Sequence, residues 1–439
     1  MGWTKITLWK RVMVGLLLGL ALGLALRTSM GADAASAFAG EWLEPFGTAF
    51  VDLIKMLVVP LIIVTLVSGV TAMGDPAKLG SLGARTIGLY LVTTAFAVTL
   101  GLLMGTLFQP GVGVDFAVAS ETDLSNVQGR IETGSGAANA SAVEKIFAII
   151  PDNIFIAMTD GATGNVLQII FFSLLFGAAC LVAGDAAKPL TRVIDAAAEV
   201  MLKLTVMIME LAPIGVFFLM SWVMATRGLS VLDNLARLAM ALYLACFLHM
   251  ILVHGLGIVR GVLRLPMIQF FRGIRDAQVV AFSTASSAGT LPVTITNVSE
   301  NLGVKKSVAS SVLPVGATIN MDGTAIYLGL VALFAAQAIP GIEMGLTDYV
   351  AVAFAATAAS IGAAAIPSAG LLLAYAVLSV IGVSEYQALQ IIAFIFPFDR
   401  LLDMMRTVTN VTGDAAVASA VASWEDELDR ETFKAEPAI

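Results

Sequence analysis

The sequence predicts an all-α polytopic membrane protein. Of its 439 residues, 58% are hydrophobic and only 13% are charged, whereas soluble domains contain about 45–50% apolar and about 25% charged residues. The apolar residues form long runs, and a helix that crosses a membrane needs about 20 of them. The chain is therefore long enough for about eight to ten crossing helices with their connections. Its net charge of −8 gives no indication of nucleic-acid binding.

The first apolar run is preceded by three basic residues, Lys5, Lys10 and Arg11. This pattern is also typical of a cleavable signal, with Ala32-Asp33-Ala34 as a crude cleavage site. A retained first span is preferred, because the remaining segments then alternate across the membrane. The first three spans are predicted over residues 12–26, 46–70 and 86–108.

The middle of the chain is less regular. Residues 109–142 are rich in Gly, Ser, Ala and Asn, which predicts a long external loop. The apolar region 143–182 is interrupted at Pro151 and Gly161, and further spans are predicted over 193–224 and 232–259.

Two residue types that often build metal sites occur in these apolar runs. Cys180 and Cys246 are predicted to be small buried residues rather than a disulfide or a zinc site. His249 and His254 are predicted to be packed or interfacial, since no carboxylate or Cys lies at a useful spacing for a metal.

The distribution of basic residues predicts the topology. They cluster at the N-terminus and at 78–85, 188–192, 260–275 and 305–306, whereas the loops 109–142 and 340–349 are acidic or neutral. The positive-inside rule then places the N-terminus in the cytoplasm. The alternation holds only if the segments 277–298 and 350–382 enter and leave the membrane on the same side.

Both of these segments are interrupted by polar and helix-breaking residues. Phe282–Pro292 contains five hydroxyl residues, and Ser360–Gly370 is broken by Gly and Pro; each includes Ser-Ala-Gly. Irregular backbone at membrane depth is tolerated only where it lines a cavity or is buried in protein. Paired interruptions of this kind are typical of the substrate site of a secondary transporter with inverted repeats.

A polar stripe near the end of the chain predicts the position of that site. Asp399, Asp403, Arg406, Asn410 and Asp414 fall within about 80° of one another on an α-helix. Charged side chains at membrane depth usually mark an ion or substrate path. The alternative is a surface amphipathic helix, which the Leu, Met, Val and Ala on the other faces disfavour.

Two short segments combine Asn, Asp, Gly and Thr, namely Asn320–Thr324 and Asn410–Asp414. We expect each to interrupt its helix, so that carbonyl groups and carboxylates together can hold a hard cation such as sodium.

Three motifs carry a resemblance to a known family: Ser286-Ser287-Ala-Gly-Thr-Leu-Pro292, Asn320-Met-Asp-Gly-Thr324 and the helix Asp403–Asp414. They resemble the sodium-coupled dicarboxylate/amino acid:cation symporters, which include the excitatory amino acid transporters of animals and the aspartate transporters of archaea. The resemblance covers nearly the whole chain. It implies eight transmembrane helices, two re-entrant helical hairpins and a homotrimer in the lipid bilayer.

The resemblance also implies an elevator mechanism, in which a mobile transport domain moves against a scaffold. The implied scaffold comprises residues 1–75 and 143–225, and the implied transport domain comprises 76–108 and 226–424. Within the latter, hairpin 1 corresponds to 267–298 and hairpin 2 to 347–382. Residues 425–439 form a cytoplasmic tail, which we expect to be solvated.

The implied substrate is an acidic amino acid, L-aspartate or L-glutamate. Arg406 and Thr324 would bind its side-chain carboxylate, Asp403 its ammonium group, and Asn410 with the hairpin tips its α-carboxylate. The implied substrate-binding residues are Ser286, Ser287, Thr324, Ile366, Pro367, Ser368, Ala369, Gly370, Asp403, Arg406, Thr407 and Asn410. An open alternative is that Arg406 forms a structural ion pair with Asp399 or Asp403.

The implied co-substrate is more than one sodium ion, with no organic cofactor. One ion would use Gly316, Asn320, Asn410 and Asp414; a second would use Tyr90, Thr93, Thr94, Asn320 and Asp322. A third ion would use main-chain oxygens near Thr318 and in residues 360–363, which include Ser360, Ile361 and Ala363. Met321 is also among the implied sodium-binding residues. Four carboxylates at membrane depth (Asp322, Asp399, Asp403 and Asp414) outnumber the one guanidinium, which also favours bound cations.

The chain departs from the family pattern at three positions. Ala285 and Met404 stand where archaeal and animal members, respectively, carry a second arginine. Leu328 stands where animal members carry a proton-accepting Glu, so proton cotransport by that route and potassium counter-transport are not expected.

Three other functions remain open. An intramembrane aspartyl protease also needs two Asp residues on neighbouring spans, but its shared proton is incompatible with Arg406 close to Asp403, and no enzyme activity is expected. A channel would conduct without substrate. A proton-coupled C4-dicarboxylate carrier of the same fold would not need Asp403 for an ammonium group. The expected location is the inner (cytoplasmic) membrane, with both termini cytoplasmic.

Overall fold

The computed structural model describes residues 8–71, 76–114, 150–159, 166–361 and 369–437. Within these ranges every regular element is helical, and the backbone pairs in β fashion only at an isolated antiparallel bridge between Val304 and Leu428. Most of the predicted external loop 109–142 lies outside the described residues. The all-α prediction is confirmed.

The N-terminal part contains four helices, α1 (Leu8–Met30), α2 (Ala32–Trp42), α3 (Glu44–Thr71) and α4 (Pro76–Phe108). The short helix α2 corresponds to no predicted span. Each of α1, α3 and α4 contains and extends one predicted span.

The next helices are α5 (Ile154–Thr159), α6 (Val166–Ala183), α7 (Lys188–Met209) and α8 (Ala212–Arg227). The prediction of one continuous span over 193–224 is wrong, because α7 and α8 are separated at Glu210 and Leu211. Pro213 lies in the first turn of α8. A proline there cannot donate to the preceding turn, so the helix restarts instead of continuing.

Helix α9 (Ser230–His249) continues as a π-helix, Met250–Val262, and is followed by α10 (Met267–Gly273). Cys246 of α9 and Cys180 of α6 are both buried and free, as predicted.

The predicted first hairpin contains two short helices, α11 (Arg275–Thr284) and α12 (Ser287–Thr296). At its tip Ala285 adopts a left-handed conformation with φ 50°, and Ser286 caps α12 by accepting a hydrogen bond from Gly289 N at 3.0 Å. Ten residues of helix extend about 15 Å, half of a bilayer core of about 30 Å. This length is compatible with a re-entrant hairpin.

The C-terminal part contains α13 (Lys306–Ile319), α14 (Asp322–Ala338), α15 (Leu346–Ile361), α16 (Ala369–Val380), α17 (Glu385–Trp424) and α18 (Arg430–Lys434). Helix α17 is 40 residues long and begins with a capping box, in which Ser384 and Gln387 satisfy each other's backbone groups. The connection between α15 and α16, where the tip of hairpin 2 is predicted, lies outside the described residues.

The helices pack in two groups. Helix α1 packs against α8, and α3 packs against α6 and α7. In the other group α4 packs against α14, and both α13 and α14 pack against α17. Helix α14 is buried over almost its whole length, so its first residues and the facing part of α17 lie in the centre of the second group.

Five stretches of the described chain are long and apolar enough to cross a membrane: Lys10–Met30, Gly83–Phe108, Gln168–Thr205, Leu232–Val262 and Lys306–Ala338. Large apolar side chains such as Leu107 and Val182 are exposed to 69% and 85%. Such surfaces are expected for a protein that lies in lipid. The chain is a multi-pass membrane protein.

The C-terminal tail does not behave as a solvated end. Phe433 is completely buried and stacks on Phe270 of α10, with ring centroids 6.5 Å apart. Arg430 Nη1 donates to the Leu263 carbonyl at 3.1 Å, and Leu428 pairs with Val304. The expectation of a solvated tail is therefore wrong for this segment, because a buried aromatic ring, a side-chain hydrogen bond and a backbone bridge dock it on the preceding helices.

Candidate functional site

The centre of the site is a break between α13 and α14. Two residues, Asn320 and Met321, lie between the helices and have non-helical backbone angles. Gly323 lies directly against the backbone of α17, where an added methyl group would come within 2.6 Å of Arg406 Cα. The helix break predicted at Asn320–Thr324 is confirmed, and it occurs where the start of α14 lies against α17.

The second predicted break, at Asn410–Asp414, is wrong. Helix α17 is continuous through these residues. Gly413 permits close packing rather than an interruption, since a methyl group at this position would lie 2.6 Å from Asn320 Nδ2 and 3.0 Å from the His254 ring. The polar residues of α17 thus remain on one helical face, and that face supplies partners to the broken helix.

The polar stripe of α17 is buried. Asp399, Asp403, Arg406, Asn410 and Asp414 are all at most 5% exposed. A surface amphipathic helix is therefore excluded, and the charged groups face the protein interior as predicted.

Arg406 makes two ion pairs through a single nitrogen. Its Nη2 donates to Asp403 Oδ1 at 2.7 Å and to Asp399 Oδ1 at 3.0 Å, and its Cζ lies 4.1 Å from the centroid of the Tyr327 ring. Nη1 and Nε are buried and make no hydrogen bond within the described chain. The structural ion pair considered above exists, but it uses only part of the guanidinium.

Several other predicted substrate residues surround this guanidinium. A methyl group at Gly370 would lie 3.1 Å from Arg406 Nη1 and 3.0 Å from Thr324 Cγ2, so the start of α16 closes over both residues. Thr407 is buried and donates to the Asp403 carbonyl of its own helix at 2.9 Å. Ile366, Pro367 and Ser368 lie outside the described residues, and for Ala369 only the backbone is described.

The hydroxyl-rich tip of hairpin 1 has a local structural role in addition to its predicted one. Ser286 caps α12, whereas Ser287 is 96% buried and begins that helix. The tip is connected to α17 by Arg400, whose Nη2 donates to the Thr284 carbonyl at 2.9 Å. The sequence analysis missed Arg400, although its position beside Asp399 in an apolar segment could have indicated a buried role.

The residues predicted for the first sodium ion lie together. Asn320 Nδ2 donates to Asp414 Oδ1 at 2.9 Å and approaches the Asn410 carbonyl at 3.4 Å. Gly316 lies beside both Asp414 and Tyr90, where a methyl group would be only 2.5 Å from Asp414 Oδ1. Asn410 supports the break itself: its Oδ1 accepts from Gly323 N at 2.8 Å, and its Nδ2 lies 3.1 Å from Met321 Sδ.

The residues predicted for the second sodium ion also converge, around Asp322. Its Oδ1 accepts from Thr94 Oγ1 at 2.8 Å and lies 3.4 Å from Thr93 Oγ1. The Thr93 hydroxyl is also 3.4 Å from Asn320 Oδ1, and Tyr90 OH donates to the Val312 carbonyl at 3.3 Å. Oxygen atoms from α4 and from the break therefore share one buried space.

For the third sodium ion the structure gives no comparable cluster among the described residues. The hydroxyl of Thr318 bonds to the Val315 carbonyl at 3.0 Å, and that of Ser360 bonds to the Thr357 carbonyl at 2.9 Å. Ile361 ends α15, and Ala363 lies outside the described residues. This part of the set stays a prediction.

The prediction for the two histidines is wrong in one respect, because both contact a carboxylate. His254 Nε2 lies 2.9 Å and His249 Nε2 lies 3.2 Å from Asp322 Oδ2. Five residues apart, they would point about 140° away from each other on an α-helix. The π-helix that begins at Met250 connects residue i with residue i+5, and this geometry brings the two rings to the same side.

Comparison with known proteins adds independent information. The family model described as the sodium:dicarboxylate symporter family matches residues 8–424. The chain is 35% identical to a proton/sodium-glutamate symport protein of Geobacillus stearothermophilus over 396 residues, which are 90% of each chain. It is 36% identical to the proton/glutamate-aspartate symporter of Escherichia coli K12, over 88% of this chain and 86% of that one. It is also 34% identical to a C4-dicarboxylate transport protein of Azorhizobium caulinodans, over 90% and 86%.

Proposed function

This chain belongs to the sodium:dicarboxylate symporter family, and we propose that it carries L-aspartate or L-glutamate together with sodium ions. The substrates that this family symports are acidic amino acids or dicarboxylates. The family consists of transporters. The proposed location is the cytoplasmic membrane, with both termini on the cytoplasmic side, as the distribution of basic residues favours.

The arrangement of Arg406 is the observation that supports an acidic substrate. A buried guanidinium whose Nη1 and Nε have no acceptor in the described chain is costly. A carboxylate is the group that guanidinium binds best, through charge-assisted hydrogen bonds. Arg406 is therefore the proposed ligand of the substrate side chain, with Thr324 beside it.

The observation that favours an amino acid over a dicarboxylate is Asp403. Its carboxylate lies one helical turn before Arg406 and pairs with the same guanidinium. An ammonium group entering beside Asp403 would give this carboxylate a second cationic partner. In a site shielded from water, that attraction is several-fold stronger than at a surface.

The proposed sodium ions occupy the two groups of oxygen atoms around Asp414 and Asp322. Both carboxylates are buried and are surrounded by amide, hydroxyl and carbonyl oxygens. Oxygen ligands next to an interrupted helix are typical of sodium sites in secondary transporters. Bound sodium would also offset the excess of buried negative charge.

The proposed transport mechanism is an elevator within a homotrimer. The two packing groups of helices support this division, since one resembles the implied scaffold and the other the implied transport domain. In this proposal the second group moves across the membrane together with the substrate and the sodium ions bound to it.

The test is uptake of labelled aspartate into proteoliposomes, with sodium, proton and potassium gradients imposed one at a time. Uptake is expected only with a sodium gradient, and equal uptake in sodium and choline buffers would contradict the proposal. Arg406→Thr should abolish uptake of acidic amino acids in a folded protein, while Arg260→Ala, at an exposed position, serves as the control. Retained aspartate affinity in the Arg406→Thr protein would exclude the recognition role.

A second candidate is a proton-coupled C4-dicarboxylate carrier of the same fold. The similarity to a C4-dicarboxylate transport protein, at 34% identity, is nearly as high as the 35% to a glutamate symporter. Succinate competition distinguishes the two. If succinate competes as well as aspartate against the unmodified protein, the amino-acid assignment is wrong; weakened aspartate binding in Asp403→Asn supports the first candidate.

A further inference from the structure

We propose that His249 and His254 are positioning residues for the cation site at Asp322. They hold one oxygen of this carboxylate with two neutral N–H donors, which directs the other oxygen toward Thr93 and Thr94. The inference rests on the proposed sodium coupling and adds two side chains that do not themselves contact the ion.

The first step is the geometry of the three groups. His249, His254 and Asp322 are all completely buried. Both Nε2 atoms approach the same oxygen, Asp322 Oδ2, at 3.2 and 2.9 Å. The rings are nearly perpendicular, with an interplanar angle of 85° and centroids 4.7 Å apart, so both point their nitrogens at the carboxylate without competing for space.

The second step concerns the hydrogen atoms. An ionised carboxylate oxygen can only accept, so each Nε2 carries a hydrogen. Both Nδ1 atoms are buried and make no hydrogen bond within the described chain. A buried N–H without an acceptor is costly, so each ring is assigned as neutral, with its hydrogen on Nε2. A transition-metal ion bound to both Nε2 atoms would instead require an N–H at each Nδ1, and ligating histidines normally donate that group to an acceptor. The arrangement therefore fits two donors better than two metal ligands.

The third step is the effect on the carboxylate. A Lys or Arg partner would satisfy Asp322 but would also cancel its charge. Two neutral imidazoles satisfy Oδ2 and leave the negative charge in place, so the carboxylate can still attract a cation. Oδ1 then faces the oxygens of the proposed sodium site, at 2.8 Å from Thr94 Oγ1 and 3.4 Å from Thr93 Oγ1.

The fourth step is the support of the histidines themselves. The π-helix places His254 on the same side as His249. From the opposite side α17 approaches at Gly413, where a methyl group would lie 3.0 Å from His254 Nε2. The ring of His254 is thus held between the π-helix and α17, which keeps its N–H directed at Asp322.

The test uses substitutions that keep or remove the donor. His254→Gln and His249→Gln retain an N–H near the position of Nε2, whereas His254→Leu and His249→Leu remove it. Two quantities are measured: the sodium concentration for half-maximal uptake, and the rise of the melting temperature with sodium when no substrate is present. Ser221→Ala, at a buried position of α8, is the control.

The Leu variants are expected to need at least about tenfold more sodium, a size typical for partners behind a metal ligand. The Gln variants should need a smaller increase than the Leu variants, and the substrate KM at saturating sodium should not change in any variant. Should the Leu variants not fold, His254→Asn replaces them, because its shorter amide does not reach Asp322.

Two outcomes overturn the inference. One is an unchanged sodium requirement in the folded Leu or Asn variants, and the other is an equal loss in the Gln and Leu variants. If the unmodified protein itself shows no response to sodium, sodium coupling is wrong and the inference fails with it. The result for the unmodified protein therefore separates failure of the proposed function from failure of the inference alone.

Discussion

Two segments of the molecule have almost the same composition and opposite structures. Asn320–Thr324 interrupts a helix, whereas Asn410–Asp414 lies in the middle of a continuous one. The difference arises because they cross each other. The buried polar groups of the break lack helical hydrogen-bond partners, and the unbroken helix provides them: Asn410 Oδ1 accepts from Gly323 N, and Asp414 Oδ1 accepts from the Asn320 side chain. Asn320–Thr324 can leave the helical conformation because the continuous helix α17 places Asn410 and Asp414 beside it.

The largest expected effect comes from Gly323→Ala, which adds a methyl group at the crossing. That group would lie within 2.7 Å of the Arg406 backbone, and backbone atoms cannot move aside as a side chain can. We expect a loss of stability of about 3 kcal/mol or more, at or above the usual range for overpacking, together with loss of substrate binding.

Thermal unfolding in detergent measures this loss, and Gly88→Ala is the matched control. Gly88 lies in α4 with no atom within 4 Å of an added methyl group, so the free energy of unfolding should change by less than about 1 kcal/mol. A melting temperature for Gly323→Ala equal to that of Gly88→Ala would show that the two helices do not cross this closely.

The next effect is that of Asn410→Ala, which removes the acceptor of Gly323 N. A buried N–H without a partner costs about 1–3 kcal/mol, so the unfolding free energy measured without substrate should fall by that amount. In Thr409→Val the lost hydroxyl donates to the Met405 carbonyl of its own helix, and no backbone N–H of the break loses its acceptor, so the change should be smaller. Equal changes in both variants would contradict the supporting role of Asn410.

A smaller effect on stability, but a specific one on function, is expected for Asp414→Asn. The amide oxygen can still accept from Asn320 Nδ2, so the crossing should persist while a negative charge is lost. Sodium affinity should fall at least about tenfold, or about 1.4 kcal/mol, with little change in the preference between aspartate and glutamate. Asp233→Asn on the exposed surface of α9 is the control, and a change in substrate preference without a change in sodium affinity would contradict the assignment.

The smallest effect concerns Asp429, which lies in a contact outside the predicted spans, between the segment that follows α17 and the segment that precedes α13. The residues after α17 pair with those before α13, since Asp429 N donates to the Gly303 carbonyl at 2.8 Å. The Asp429 side chain caps α18, and hydrogen bonds from the Thr432 side chain and from the backbone N–H groups of Thr432 and Glu431 lower the pKa of its carboxyl group.

The sign of the pH dependence follows from that lowered pKa. The stabilising contribution of Asp429 is complete above the ordinary pKa of about 3.9 and is lost only as the pH falls through the lowered value. Hydrogen exchange of the α18 amides, corrected for intrinsic rates, should therefore show constant protection between pH 7 and pH 5. Asp429→Ala should lose part of this protection at pH 7, and a loss in the unmodified protein between pH 7 and pH 5 would contradict the capping role.

The sequence by itself determined the class of the fold and indicated where the candidate site lies. Buried charges in an apolar chain have few solutions, so the stripe from Asp399 to Asp414 had to face the interior. Asn320 and Gly323 within one turn favour a helix break, but Asn410 and Gly413 have the same spacing in a continuous helix, so the local pattern indicated two candidate breaks and not which of them forms. Both predictions depend on residues close together in the chain, where elementary helical geometry applies.

Only the tertiary structure decided which partners these residues have. The continuity of α17 at Gly413, the donation from Arg400 to the tip of hairpin 1 and the docking of Phe433 all depend on elements far apart in sequence. The contact of His249 and His254 with Asp322 depends in addition on a π-helix, which α-helical periodicity does not predict. Local patterns identify groups that need a partner, because burial without one is costly; the packing of distant helices determines which group that partner is.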